Sequence, residues 1–254
     1  MTRWAMGVEY DGTHFCGWQQ QSGLRTLEAA FATAISQVAD HTISLTCGGR
    51  TDSGVHAAGQ VLHFDSDAGR SARAWVLGTN ANLDRKASVS WARPVPDFFH
   101  ARFSALRRHY RYSILNRSAR SALHEGRSLW VQAPLDAQLM HDGGQYLLGE
   151  HDFSAFRAAE CQSKSPVRHL DLLAVHREHD LVHIDVAANA FLHHMVRNIA
   201  GLLIEVGRGV RPPEAVRALL EGRDRRRNAP TADPEGLCLR RIEYPAAFHL
   251  PDPV

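Results

Sequence analysis

Lysine is almost missing from this chain of 254 residues: of its 29 basic residues only Lys86 and Lys164 are lysine, and the rest are arginine. Cysteine is sparse as well, and Cys16, Cys47, Cys161 and Cys238 show no paired spacing. That pattern excludes a cysteine-paired metal knuckle and reads as reduced thiols in a cytoplasm, not as a disulfide framework. No apolar run approaches the ~20 residues of a membrane span, and the opening Met1 to Gly7 lacks the long apolar region of a secretory leader. No membrane partner is therefore expected. Sixteen histidines invite a metal reading, yet His-Glu-x-x-His is absent, and His193 and His194 are adjacent, so on a helix they would point to different sides. A zinc base deaminase would need paired cysteine ligands. No metal is expected, and neither a P-loop nor a dinucleotide fingerprint appears. Low-complexity stretches and Gly/Ser linkers are also lacking.

Hydrophobic residues make up 44% of the chain, enough for a packed core. The length suits one large domain or two of roughly 100–150 residues each. A net charge of +2 says little about partners. The arginine bias is compatible with bidentate phosphate contacts and stacking on bases, and equally with GC-rich coding.

One carboxylate stands out. Cys47-Gly48-Gly49-Arg50-Thr51-Asp52-Ser53-Gly54-Val55-His56-Ala57 places Asp52 in a glycine-rich loop between apolar segments. Glycines allow sharp turning and close approach to a ligand. Arg50 offers a charge for a phosphate or for the ionised acid. Asp-Ser-Gly is also ordinary turn chemistry.

Around this loop, Trp4 to Tyr10 reads as a strand and Thr26 to Val38 as a helix, with Leu27, Phe31, Ala34, Ile35 and Val38 on one face. Thr42 to Thr46 and Gln60 to Phe64 read as strands, Arg73 to Leu77 as the start of a helix, and Val89 to Ala92 as a fourth strand. The order predicts a compact α/β half with an antiparallel sheet and helices on one face.

From Phe98 to Tyr112 aromatic and basic residues interleave. On a strand, Tyr110, Tyr112 and Ile114 share one face, opposite Arg111 and Ser113. Such mixing suits a surface that binds phosphates and stacks exposed bases. Pro134 to Leu148 reads as a helix with Leu135, Leu139 and Leu147 in the core, Gly149 to Arg157 as a loop, and Glu160 to Lys164 as a polar loop. Leu170 to His176 and Leu181 to Ala187 form a hairpin turning at Glu178-His179-Asp180. The next helix carries Phe191 to Ile199 and is apolar over a wide face, so Arg197 on it needs an acidic partner. A last helix starts at Pro212-Pro213-Glu214 and ends at Gly222. The basic run Arg223 to Arg227 reads as a solvated loop and is also a reasonable phosphate contact, and a strand closes the chain. The second half thus repeats the first, with the boundary set near Ser104: 1–104 and 105–254.

Taken together, the Asp52 loop, the Tyr110 strand and the Arg197 helix resemble, in order, the three motifs of the TruA family of tRNA pseudouridine synthases. The resemblance runs from Glu9-Tyr10-Asp11-Gly12 to Tyr244-Pro245 and departs slightly at Glu28, where the family often has glutamine. It implies an α+β fold of two similar halves joined in a continuous, mainly antiparallel sheet around a central RNA-binding cleft. It implies a homodimer that needs no cofactor. The activity implied is isomerisation of uridine to pseudouridine in the anticodon stem-loop of tRNA, at positions 38, 39 and 40. By resemblance Asp52 is the nucleophile, Tyr110 stacks on the target base, and Arg197 pairs with Asp52. Arg50 aids base flipping. Arg70, the run Phe99, His100, Ala101, Arg102 and Phe103, and the run Glu160, Cys161, Gln162, Ser163 and Lys164 contact tRNA. A catalytically silent tRNA-binding or tRNA-folding protein on the same scaffold is the alternative.

Overall fold

A computed structural model describes residues 1–251. Ten strands and five α-helices are found among them, and the strand pairings are mixed but mostly antiparallel, an α+β fold. The chain forms two compact units. The first comprises Met1–Arg108 and the stretch from Cys238 onward; the second is His109–Leu237.

In the first unit, β1 (Thr2–Tyr10) is buried over most of its length because it runs between two partners. It pairs antiparallel with β3 (His56–Ser66), in the register Trp4↔Phe64 and Met6↔Leu62, and with β4 (Ala87–Pro94). The helices α1 (Leu27–Ala39) and α2 (Ala72–Asn82) pack against each other, and α2 lies on β4. Leu27, Phe31, Ala34 and Ile35 are buried, as their helical spacing predicts. Trp18 stacks on Phe31 at 5.9 Å, and Trp75 meets Phe64 edge-on at 5.1 Å. Each such side chain withdrawn from water contributes about 1.5–3 kcal/mol.

Two expectations need correcting here. The strand read over Thr42 to Thr46 shrinks to β2 (Thr46–Cys47), which pairs with β3. The preceding residues are drawn to α1 instead, where the Ser36 hydroxyl accepts from Ile43 N at 2.9 Å. The boundary at Ser104 also moves. The C-terminal strand β10 (Leu237–Glu243) runs parallel to β3, with Cys238↔His56 and Leu239↔Ala57, so the chain's end returns to the first unit. Sequence order alone does not reveal such a return.

β5 (Arg107–Asn116) begins with the last two residues of the first unit's opening segment and continues into the second unit, where it shows the alternation expected of it: Tyr110, Tyr112 and Ile114 are buried, while Arg111 and Ser113 are half-buried. The short β6 (Leu129–Val131) runs parallel to it. The helix read over Pro134 to Leu148 is trimmed to α3 (Ala137–Gln145), because Asp136 caps it by accepting from Gln138 N and Leu139 N at 2.9 and 3.0 Å. Gly149 to Asp152, read as loop, is instead β7 (Gly149–Asp152), an edge strand antiparallel to β8 (Val167–Glu178). Its polar residues carry no apolar period that would mark a strand. β8 and β9 (Leu181–Ala188) form the expected hairpin, with His179 at φ +53°.

α4 (Met195–Gly207) begins four residues later than Phe191. His194 sits in the left-handed region at φ +61°, so His193 and His194 precede the helix. Their rings lie 4.0 Å apart instead of diverging. α5 (Glu214–Gly222) ends where expected. Next to it, Arg225–Arg227 is a turn of 3-10 helix, and Arg225 points inward instead of being solvated.

Candidate functional site

The Asp52 loop leaves β2 and enters β3, and its backbone is braced from three directions. Gln60, fully buried in β3, donates through its side-chain amide to Gly49 O and accepts from Gly49 N at 3.2 Å. Its amide also reaches Tyr10 Oη, which in turn contacts Thr51 Oγ1 at 2.8 Å. The segment Phe15 to Trp18 forms the second brace. Trp18 N donates to Thr51 O at 2.9 Å, and Phe15 O accepts from the Ser53 hydroxyl at 3.2 Å and from Gly54 N at 3.4 Å. Gly17 makes this approach possible: it sits at φ +79°, and a Cβ there would lie 3.0 Å from Thr51 O.

The third brace comes from Arg108, at the start of β5. Its Nη2 and Nε donate to Gly48 O at 2.9 and 3.2 Å, and its Nη2 also donates to Arg102 O at 2.6 Å. Gly48 is pressed against Tyr244, where an added Cβ would stand 2.5 Å from the phenol oxygen. Burial, the dominant effect, holds the Tyr244 phenol well above its usual pKa, so its proton stays in the 2.6 Å bond to Ala101 O. Within this framework Asp52 is half-buried, and its backbone carbonyl accepts from Val55 N at 3.1 Å. Arg50 is exposed. Neighbouring Cys47 is an inert core thiol, pushed up to about 12 by burial.

Residues Phe99 to Phe103 form a tight turn closed by Ser104 N donating to His100 O at 2.9 Å. Phe99 and Ala101 face the core, whereas Arg102 and Phe103 are exposed, Phe103 by 76%. The His100 ring stacks on Phe103 at 4.3 Å, and the Arg102 guanidinium lies 5.7 Å from the same ring. Burial, then repulsion from His100 and Arg3, lowers His63 to about 4. Its neutral Nδ1 accepts from Ala101 N at 3.1 Å and anchors the turn. Arg70 is exposed, with Nε donating to Val38 O near the end of α1. Glu28, the departure from the family pattern, ties down the segment before α1, because its Oε2 accepts from Gln20 N at 2.7 Å and Gln19 Nε2 at 2.8 Å.

The second unit carries the remaining residues. Tyr110 is buried on β5, edge-on to Phe191 at 5.1 Å. Arg197, on the first turns of α4, is half-buried. Its Nε donates to Ala232 O at 2.8 Å, and Ala232 N returns a bond to Arg197 O at 3.2 Å. The adjacent Asn198 secures this strap. Its buried Oδ1 accepts from Thr231 Oγ1 at 2.7 Å and Arg225 Nη2 at 2.9 Å, and its Nδ2 donates to Phe156 O at 2.7 Å. Tyr112 Oη donates to Asp233 O at 2.7 Å.

In the polar loop, Glu160, Gln162 and Lys164 are exposed. Arg157 Nη2 shapes it by donating to Cys161 O at 2.6 Å and Ser163 O at 2.8 Å. For the Cys161 thiol, burial is outweighed by donors from His193 N and Ser163 N and by Arg157, which together lower its pKa.

Reading residues in order overlooked Gln60, Arg108, Asn198 and Arg225. Gln60 left a signal, an amide directly before the apolar pair Val61-Leu62 on a strand, since a buried polar group demands partners. Gln60→Leu is expected to cost about 1–3 kcal/mol by stranding both polar groups of Gly49. Thermal denaturation measures this, and an unchanged Tm would show that the brace is dispensable.

A family model described as "tRNA pseudouridine synthase" matches residues 6–104 and 144–245. Tyr110 lies between the matched stretches. A protein named tRNA pseudouridine synthase A from Methylococcus capsulatus is 52% identical over 248 residues, covering 98% of this chain and 92% of the relative. Relatives of the same name from Alcanivorax borkumensis and Nitrosococcus oceani are each 51% identical; they cover 99% and 98% of this chain, and 95% and 96% of their own lengths.

Proposed function

Since the chain belongs to the tRNA pseudouridine synthase family, we propose that it isomerises uridine to pseudouridine in the anticodon stem-loop of tRNA, at positions 38, 39 and 40, with Asp52 as the nucleophile. The observation that carries this reading is the near full-length identity of about half to proteins named tRNA pseudouridine synthase A. The braced Asp52 loop supports it, because a nucleophile has to be held in one place while a nucleotide is brought to it.

In the reaction the bond from ribose to the base nitrogen breaks, the base turns, and a bond from ribose to carbon-5 forms; carbon-5 loses a proton and the freed ring nitrogen gains one. Substrate and product are isomers, so no redox partner is called for. Asp52 acts as an anion, and Arg197 serves as the cation that favours and orients it. Tyr110 stacks on the target uracil. Extruding that nucleotide costs a few kcal/mol, which Arg50 and the exposed Arg102 and Phe103 help to offset by phosphate contact and stacking. Glu160 to Lys164 and Arg70 extend the RNA contact. The protein works as a homodimer in the cytoplasm; none of its described helices is long and apolar enough to cross a membrane.

Mapping pseudouridine in bulk tRNA incubated with the pure protein tests this reading. New pseudouridine at the three anticodon-stem positions is the expected result. Binding without product would favour a silent RNA-binding protein instead.

A further inference from the structure

Arg108 joins two segments to which the proposed reaction gives different roles. Its guanidinium donates to Gly48 O, four residues before Asp52, through Nε and Nη2 at 3.2 and 2.9 Å. The same Nη2 donates to Arg102 O at 2.6 Å, and Nη1 donates to Ala105 O at 3.4 Å. Only 9% of Arg108 is exposed, so these bonds form where water competes poorly. Tyr244 spans the same gap, donating to Ala101 O while pressing on Gly48. The exposed Arg102 and Phe103 project from this very turn.

We infer that Arg108 is a positioning residue: it ties the tRNA-contacting turn at residues 100–105 to the Asp52 loop, so that RNA docked on Phe103 sets the placement of the nucleophile. The inference rests on the reading of Asp52 as nucleophile and of the turn as an RNA contact. A planar guanidinium can hold carbonyls of two segments at fixed mutual geometry, whereas an ammonium on a flexible stem holds neither direction. Substrate contact at the turn is thereby registered at the loop through one shared nitrogen.

Arg108→Lys keeps the charge and removes the fork. Single-turnover rates on tRNA should fall about 10- to 100-fold, the scale of a small misplacement of reacting groups, while tRNA affinity stays near that of the parent. Arg108→Ala should lose as much rate and recover part of it when guanidinium is added at millimolar concentration, which a general loss of folding would not allow. Phe103→Ala should lower the rate in the parent and have little further effect on it in Arg108→Lys, because the route from turn to loop is already cut. An unchanged rate in Arg108→Lys, or a loss confined to tRNA affinity, would overturn the positioning role. Failure of the underlying reading is told apart by Asp52→Asn: if that variant still turns over, the nucleophile is elsewhere, whatever Arg108 does.

Discussion

Asp52→Asn is expected to abolish pseudouridine formation, lowering the rate by at least about 10⁴-fold, a scale typical of deleting a nucleophile, while tRNA is still bound. The substitution is nearly isosteric. The braces of the loop run through the backbone of Gly48, Gly49 and Thr51 and through the side chains of Gln60, Arg108 and Ser53. None of these requires a carboxylate at position 52, so the folded loop should persist and the loss should be chemical. Release of tritium from carbon-5 of labelled uridine in tRNA measures turnover, and filter binding measures affinity. Turnover close to that of the parent would remove Asp52 from the nucleophile's role.

The second large effect is expected at Arg197. Arg197→Met deletes the proposed cation and should reduce the single-turnover rate about 10²- to 10³-fold, as loss of one preorganised electrostatic partner does elsewhere. Arg197→Lys restores a charge but not the Nε bond to Ala232 O, so it should recover only part of the rate. Both variants lose the Nε bond to Ala232 O, but the bond from Ala232 N to Arg197 O and those joining Asn198, Thr231 and Arg225 do not use the Arg197 guanidinium, so circular dichroism should show both variants folded. If the methionine variant kept its full rate, the nucleophile would not depend on this cation.

Elements with a strong period were legible in the residue order. The buried stripe Leu27, Phe31, Ala34, Ile35 marks α1, and alternation marks β5. An acid among glycines, rings among arginines and a charge on an apolar helix stand out locally, but it is the family resemblance that singles out Asp52, Tyr110 and Arg197 among such residues and implies their roles. Failures fell where the local pattern was silent. β7 is polar and owes its strand form to β8. The late start of α4 depends on a left-handed His194 that no propensity marks.

Spacing and residue type were sufficient to place the acid, the aromatic and the cation on a loop, a strand and a helix, because each of those facts is local to about a dozen residues. What holds the loop in place was settled by the folded chain alone. The contacts of Arg108 with Gly48 and of Gln60 with Gly49 join residues 60 and 11 positions apart. Such hydrogen bonds end on backbone carbonyls and amides, which every residue carries. The buried amide of Gln60 marks one end of such a pair, but nothing in the order of side chains marks the other end, and the bonds come into being only when β3 and β5 bring those backbone groups within reach.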